Sequence, residues 1–86
     1  MYVYIMECAD GSYYTGWTTD LKRRLAAHNA GSGSRYTRIR RPVKLVYSEE
    51  HADRASAQRR ELAIKRLSRP RKRALIASFA GEPLAE

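Results

Sequence analysis

Tyr2-Val3-Tyr4-Ile5-Met6-Glu7-Cys8, Ala9-Asp10-Gly11-Ser12 and Tyr13-Tyr14-Thr15-Gly16-Trp17 follow one another at the start of the chain, and their reading decides the fold. The first and third runs are rich in aromatic and β-branched residues, which favour a pleated, half-buried surface. The four residues between them are turn formers. This predicts an antiparallel hairpin. Gly16, inside the second strand, signals a bulge or a close backbone approach.

Working outward, Thr18, Thr19 and Asp20 are candidate N-caps for a helix over Leu21-Lys22-Arg23-Arg24-Leu25-Ala26-Ala27-His28. Leu21, Leu25 and His28 recur at i, i+4 and i+7 and share one face, with Arg24 beside them. Gly31 stops that helix. Gly31 to Pro42 reads as a loop, flexible at its Gly-Ser-Gly-Ser start and basic at its end. Val43-Lys44-Leu45-Val46-Tyr47-Ser48 predicts a third strand, with Val43, Leu45 and Tyr47 alternating onto one face. Asp53 can cap a second helix reaching about Leu67, with Ala57, Ile64 and Leu67 on its apolar stripe. Ser68 can cap a third, with Pro70 in its first turn and Leu75, Ile76 and Phe79 on its buried face. The expected fold is α+β, in the order β-β-α-β-α-α: a small three-stranded antiparallel sheet flanked by helices. Residues 1–80 are expected to form one domain, with a short, frayed tail at 81–86.

The 86 residues hold 17 Lys and Arg against 9 Asp and Glu, a formal net charge of +8. Eight basic residues and no acid lie between Lys22 and Lys44, and nine basic residues with one acid, Glu61, between Arg54 and Arg73. Unopposed charge of this kind suits a polyanion: DNA, RNA or an anionic membrane surface. The membrane is the weakest of the three, because no amphipathic helix carries exposed aromatic anchors. Cys8 is the only cysteine. It excludes an intramolecular disulfide, suits a reducing cytoplasm, and reads as a small buried apolar residue. No signal peptide and no transmembrane run is expected. Nor is there a helix-turn-helix or zinc finger to read base sequence, so structure or strandedness is the expected basis of recognition.

Five residues on elements that can converge carry chemistry: Tyr4 and Tyr14 on paired strands, Arg24 and His28 on the first helix, and Glu61 on the second. Phosphodiester hydrolysis needs an activated water, neutralised phosphate charge and a stabilised leaving oxygen. A phenol near cations has a lowered pKa and accepts a proton. An arginine grips phosphate with a fork of donors, and a lone carboxylate holds Mg²⁺ with waters and phosphate oxygens completing the shell. The same residues also read as core tyrosines, a solvated arginine, a histidine closing a helix and a surface ion-pair partner. Spacing alone does not choose.

The motifs choose. Tyr2-Val3-Tyr4 and Tyr14-Thr15-Gly16, separated by nine residues, resemble the two signature tripeptides of the GIY-YIG endonuclease superfamily. Tyr2 stands for that family's glycine, Val3 for its first isoleucine and Thr15 for its second. The stretch from Gly16 to His28 resembles the family's Gly-x-x-x-Asp-aromatic/Leu-x-x-Arg-x-x-x-His pattern, and Arg60-Glu61-Leu62-Ala63-Ile64-Lys65 resembles its glutamate helix. Tyr36-Thr37-Arg38 and Arg41-Pro42-Val43-Lys44-Leu45-Val46-Tyr47 look typical of small bacterial stand-alone members, similar to the nuclease domain of structure-specific junction endonucleases.

The resemblance implies a metal-dependent endonuclease that hydrolyses phosphodiester bonds in DNA, single-stranded or branched, in repair or DNA processing; RNA is an open alternative substrate. It implies catalytic Tyr4, Tyr14, Arg24, His28 and Glu61, with Glu61 holding Mg²⁺ or Mn²⁺. One tyrosine would activate water and the other position it. His28 would orient a tyrosine or act as acid or base. Gly16, Arg35, Tyr36, Arg38, Arg40 and Arg41 would bind substrate, the arginines tracking the backbone and Tyr36 stacking on an unpaired base. One departure supports a second reading: many members carry an asparagine after the glutamate helix, and Leu62 to Glu86 contains none. On that reading the chain is a nucleic-acid-binding module of the same fold, with weak or no cleavage.

Overall fold

The computed structural model describes residues 1–79 and the strand residues 84 and 85. The hairpin forms as expected, from β1 (Tyr2–Glu7) and β2 (Tyr13–Thr18), paired antiparallel from Tyr2–Thr18 to Glu7–Tyr13. Gly11 makes the turn at φ +84°, where a side chain would be strained. The Asp10 carboxylate accepts from the Ser12 amide and hydroxyl at 3.0 and 2.6 Å, fastening the loop.

Among the three cap candidates, Asp20 opens α1 (Leu21–Ala30) by accepting from the Arg23 amide, and Gly31 closes it at φ +89°. β3 (Lys44–Glu50) pairs antiparallel with β1. Asp53 caps α3 (Arg54–Lys65), and Ser68 caps α4 (Arg69–Ala77), which has Pro70 in its first turn. The three-stranded sheet β2-β1-β3 is thus the one expected. The tail expected at 81–86 lies mostly outside the described residues; of it, Leu84–Ala85 are described and pair with Lys44 and Leu45 as a two-residue β4 on the β3 side.

Two local expectations are corrected. The loop from Gly31 to Pro42 contains a one-turn helix, α2 (Arg35–Arg38), capped by Ser34. Four residues are too few to show a hydrophobic period, so only the Ser34 cap marks it in the sequence. The alternation of Val43, Leu45 and Tyr47 also fails. Met6 pairs with Leu45 but Ile5 pairs with Tyr47, so Val46 is an extra residue in β3 and forms a bulge. Beyond a bulge the side chains change face. Val43 and Leu45 therefore pack with Tyr4, Met6, Cys8 and Leu25, whereas Val46 and Tyr47 pack with Val3, Ile5, Ala57 and Ile64.

These two clusters show that both faces of the sheet are covered. α1 lies over the side carrying Tyr4, Met6 and Cys8. α3 and α4 lie over the side carrying Val3 and Ile5, with Leu75, Ile76 and Phe79 partly buried against it. Burying an aliphatic side chain as fully as Ile5 or Ile64 (0% exposed) contributes about 1.5–3 kcal/mol. Cys8 is 4% exposed, and burial raises its thiol pKa, as suits an apolar packing residue. No helix among the described residues is long and apolar enough to cross a membrane.

Candidate nucleic-acid site

β2 is an edge strand, so the two helix layers meet along its free side. A cleft of about 370 Å³ opens there, lined by Tyr4, Tyr14, Gly16 and Arg24 from the α1 side, by Trp17 and Glu61 from the α3 side, and by Thr18 and Thr19. The two expected tyrosines, the arginine and the glutamate therefore share one concavity, although their helices lie on opposite faces of the sheet.

Gly16 lets the two faces communicate. A Cβ on this residue would sit 2.5 Å from the Tyr4 hydroxyl oxygen. Glycine is thus required for the phenol to reach the strand edge, which is the close approach the sequence signalled.

Arg24 is held by the face of α1 that buries Leu25 and His28, and its guanidinium has no protein partner among the described residues. Glu61 lies between Ala57 and Ile64, both 0% exposed, which fix the face that α3 presents. The neighbouring Arg60 fixes it further. Its Nε donates to both Glu49 oxygens at 3.0 and 3.1 Å, while Tyr47 and His51 complete that carboxylate's shell at 2.7 and 2.6 Å. Burial alone would raise the Glu49 carboxyl pKa, but the hydrogen bonds from Tyr47, His51 and Arg60 outweigh it and hold it below its ordinary value. Among the described residues Glu61 itself pairs only with the Lys65 ammonium, at 3.5 Å, and its side chain is 23% exposed.

His28 is buried under the site rather than lining it. Its Nε2 lies 3.1 Å from the Tyr4 hydroxyl, its Nδ1 lies 2.7 Å from the Thr37 hydroxyl, and its ring meets Tyr14 edge-on at 5.1 Å. Burial, then the Arg24 charge, lower its pKa from the ordinary histidine value, which favours the neutral ring. Burial, then the proximity of Tyr14, push the Tyr4 phenol above its ordinary value of 10.0; Arg24 opposes this and Glu61 adds to it. The expected lowered phenol pKa is therefore wrong for Tyr4: the desolvation of a side chain 2% exposed exceeds the attraction of one cation.

A buried neutral histidine leaves a signature in stability. The unfolded state binds more protons below 6.5, the ordinary histidine pKa, so stability should fall as pH drops through that value and level off below the folded-state pKa. The urea midpoint of the wild type should drop more between about pH 7.5 and about pH 5.5 than that of His28→Gln. Equal drops would mean that His28 does not titrate differently on folding.

The basic loop divides into two sets. Arg35 and Arg38 are exposed, with their guanidinium groups unpaired among the described residues, as backbone tracking requires. Arg40 and Arg41 are instead engaged. Arg40 donates to Asp10 at 3.2 Å and to the Tyr36 carbonyl at 2.9 Å, and Arg41 donates to the carbonyls of Arg38 and Asn29 at 2.8 and 3.3 Å. Tyr36 is also occupied. It stacks with Tyr14 at 6.0 Å, and the Arg40 guanidinium covers its ring at 3.8 Å. A base would have to displace Arg40 to use that face. Asn29 clamps Val43 by accepting from its amide at 2.8 Å and donating to its carbonyl at 3.0 Å. A second groove, lined by Asp20, Arg23 and Ala27, shares Thr18, Thr19 and Arg24 with the cleft and extends it along α1.

The sequence reading assigns no site role to Gly33, Ser34 or Thr37. A Cβ on Gly33 would strike the His28 ring and lie 2.8 Å from its Cα, so the glycine-serine run is packed against the site. Gly33→Ala should cost about 1–3 kcal/mol in a urea melt, because the backbone of α1 cannot retreat. A loss below about 0.5 kcal/mol would show that the loop moves aside freely.

Among the described residues no three His, Cys, Asp or Glu cluster to cage a metal. One partly exposed carboxylate beside open space and a cation for phosphate is the donor set that suits Mg²⁺ or Mn²⁺, which keep several waters and bind through one or two carboxylates plus phosphate oxygens.

With cleft, fold and element order in place, comparison with known proteins gives the class. The family model described as "GIY-YIG catalytic domain" matches residues 1–74. The chain belongs to the GIY-YIG family. Its similar relatives are UPF0213 proteins from bacteria and archaea. The one from Halobacterium salinarum is 55% identical over 75 residues, covering 87% of this chain and 97% of its own length. The one from Streptococcus pneumoniae serotype 4 is 54% identical over 71 residues, covering 83% of this chain and 72% of its own length. The solution NMR structure of the UPF0213 protein from Bacillus halodurans matches with a TM-score of 0.60 at 46% identity, covering 93% of this chain and 85% of that one.

Proposed function

We propose that this protein is a metal-dependent endonuclease that hydrolyses phosphodiester bonds in DNA, selecting its substrate by structure or strandedness. The observation that carries the reading is the single cleft lined by Tyr4, Tyr14, Arg24 and Glu61 on a strongly basic protein. Arg24 is the phosphate clamp: a fork of donors with no partner among the described residues to compete for it. Glu61 would hold the cation, which would supply charge neutralisation at the phosphate. Arg23 and Arg24 in the groove, with Arg35 and Arg38 on α2, track the nucleic-acid backbone.

Water attacks phosphorus, the new O–P bond forms, and the bond to the leaving oxygen breaks with its electron pair; solvent protonates that oxygen. The attacking water's proton needs a base. Tyr4 keeps its own proton at rest, so it acts as a conduit. Its oxygen takes a proton from water while its own proton passes to Nε2 of neutral His28. Tyr14, whose phenol lines the cleft, positions water or phosphate. Cytoplasmic residence fits the single unpaired Cys8, and DNA repair or processing fits a nuclease fold whose described residues hold no base-reading element.

The test is incubation of the purified protein with single-stranded, duplex and branched DNA and with single-stranded RNA, in Mg²⁺, in Mn²⁺ and in chelator. Cleavage of a DNA substrate that needs the cation supports the reading. Salt-sensitive binding without cleavage of any of the four substrates overturns it in favour of a binding module, the reading that the absent asparagine supports.

A further inference from the structure

We propose that Thr37 is a positioning residue: its hydroxyl accepts from Nδ1–H of His28 and so turns the Nε2 lone pair toward Tyr4. The inference starts from the proton inventory of a buried network. His28 and Thr37 are both 0% exposed, and Tyr4 is 2% exposed. All of their polar atoms are partnered: no buried side-chain nitrogen or oxygen among the described residues lacks a hydrogen bond.

The Tyr4 hydroxyl has one hydrogen-bond partner among the described residues, His28 Nε2 at 3.1 Å. Its proton therefore finds an acceptor among the described residues only if Nε2 carries none. A neutral imidazole has one N–H, which then sits on Nδ1 and must be accepted by Thr37 Oγ1 at 2.7 Å. The remaining protons agree. Ser34 Oγ accepts from the Thr37 amide at 3.1 Å and donates to Thr37 Oγ1 at 2.9 Å, and the Thr37 hydroxyl donates to the Ser34 carbonyl at 3.4 Å. In the opposite sense Thr37 would donate to Nδ1 and Nε2–H to Tyr4. The phenol proton would then turn into the cleft, with no acceptor among the described residues within hydrogen-bond distance.

α2 thus has a reason to exist in a segment whose composition reads as a loop. Its Ser34 cap sets Thr37, Thr37 sets the histidine tautomer, and the tautomer sets which atom of Tyr4 faces the cleft. The kinetic consequence rests on the proposed nuclease mechanism; the tautomer is a property of the resting protein and does not.

The experiment is a long-range ¹H–¹⁵N correlation of the imidazole nitrogens in the full chain near neutral pH, with His51→Gln used to tell the two histidines apart. His28 should show a protonated Nδ1 and an unprotonated Nε2. Thr37→Ser should keep that pattern, and Thr37→Val, which keeps the shape but loses the acceptor, should not. An Nε2–H tautomer in the wild type overturns the proposal, as does an unchanged pattern in a folded Thr37→Val. In single-turnover cleavage, Thr37→Val should lose about tenfold or more in rate with little change in KM, and Thr37→Ser should recover most of it. Rates equal to wild type in Thr37→Val overturn the positioning role. The expected tautomer in a protein that cleaves nothing sustains the tautomer assignment and sinks the nuclease reading instead.

Discussion

Glu61→Gln is expected to abolish metal-dependent cleavage while leaving nucleic-acid affinity intact or improved. The glutamine amide matches the carboxylate in shape, so α3, whose orientation is set by Ala57, Ile64 and the Arg60–Glu49 pair, should not shift. What is lost is the one carboxylate that lines the cleft among the described residues, and its capacity to hold a hard cation. The Lys65 partnership at 3.5 Å is a partly exposed i,i+4 pair, worth a few tenths of a kcal/mol, so stability should barely move. Removing a negative charge from a phosphate-binding surface should tighten binding slightly. Single-turnover rates in Mg²⁺ or Mn²⁺, beside fluorescence-anisotropy affinities, separate the two effects. A loss of at least about a hundredfold in rate without a loss of affinity is the expected result. Lost affinity with an unchanged rate constant would place Glu61 in substrate binding and leave the cation without a ligand.

Arg24→Ala should lose both rate and affinity. A fork of donors touching phosphate acts in the ground state and more strongly as charge builds in the transition state, so kcat and kcat/KM should both fall. Removing one such contact costs about 3 kcal/mol, or roughly a hundredfold in rate. The Arg24 guanidinium makes no protein hydrogen bond or ion pair among the described residues, so the thermal midpoint should stay close to that of wild type. Arg24→Lys keeps the charge but not the planar fork and should recover affinity better than rate. A fall in affinity alone, with kcat preserved, would mean that Arg24 guides substrate without stabilising the transition state.

Much of the architecture was legible because it rests on local signals. The aromatic and β-branched hairpin, the Asp20, Asp53 and Ser68 caps and the Gly31 stop all act within a few residues of themselves. The convergence of Tyr4, Tyr14, Arg24 and Glu61 was legible only through motif order. The helices carrying Arg24 and Glu61 lie on opposite faces of the sheet, and the two side chains share a cleft because β2 is an edge strand.

What the sequence hid depends on tertiary arithmetic. The Val46 bulge, which moves Tyr47 off the face of Leu45, appears only in the register against β1. The apparent flexibility of Gly31-Ser32-Gly33-Ser34 concealed a backbone pressed against His28. Arg40 and Arg41 looked like free charges, yet carbonyls and Asp10 occupy them. Tyr36 looked like a stacking platform, and Tyr14 and Arg40 already use it. Tyr4 looked like a phenol activated by cations, and burial outweighs the cation.

The central claim is that this cleft is where the protein hydrolyses phosphodiesters. Its most direct test is single-turnover cleavage of an end-labelled DNA substrate by wild type, Glu61→Gln and Arg24→Ala, purified identically and assayed with Mn²⁺ and with chelator. The account predicts cation-dependent cleavage by wild type, none by Glu61→Gln, and a rate about a hundredfold lower for Arg24→Ala. Equal cleavage by all three proteins would contradict it and place the activity outside this site.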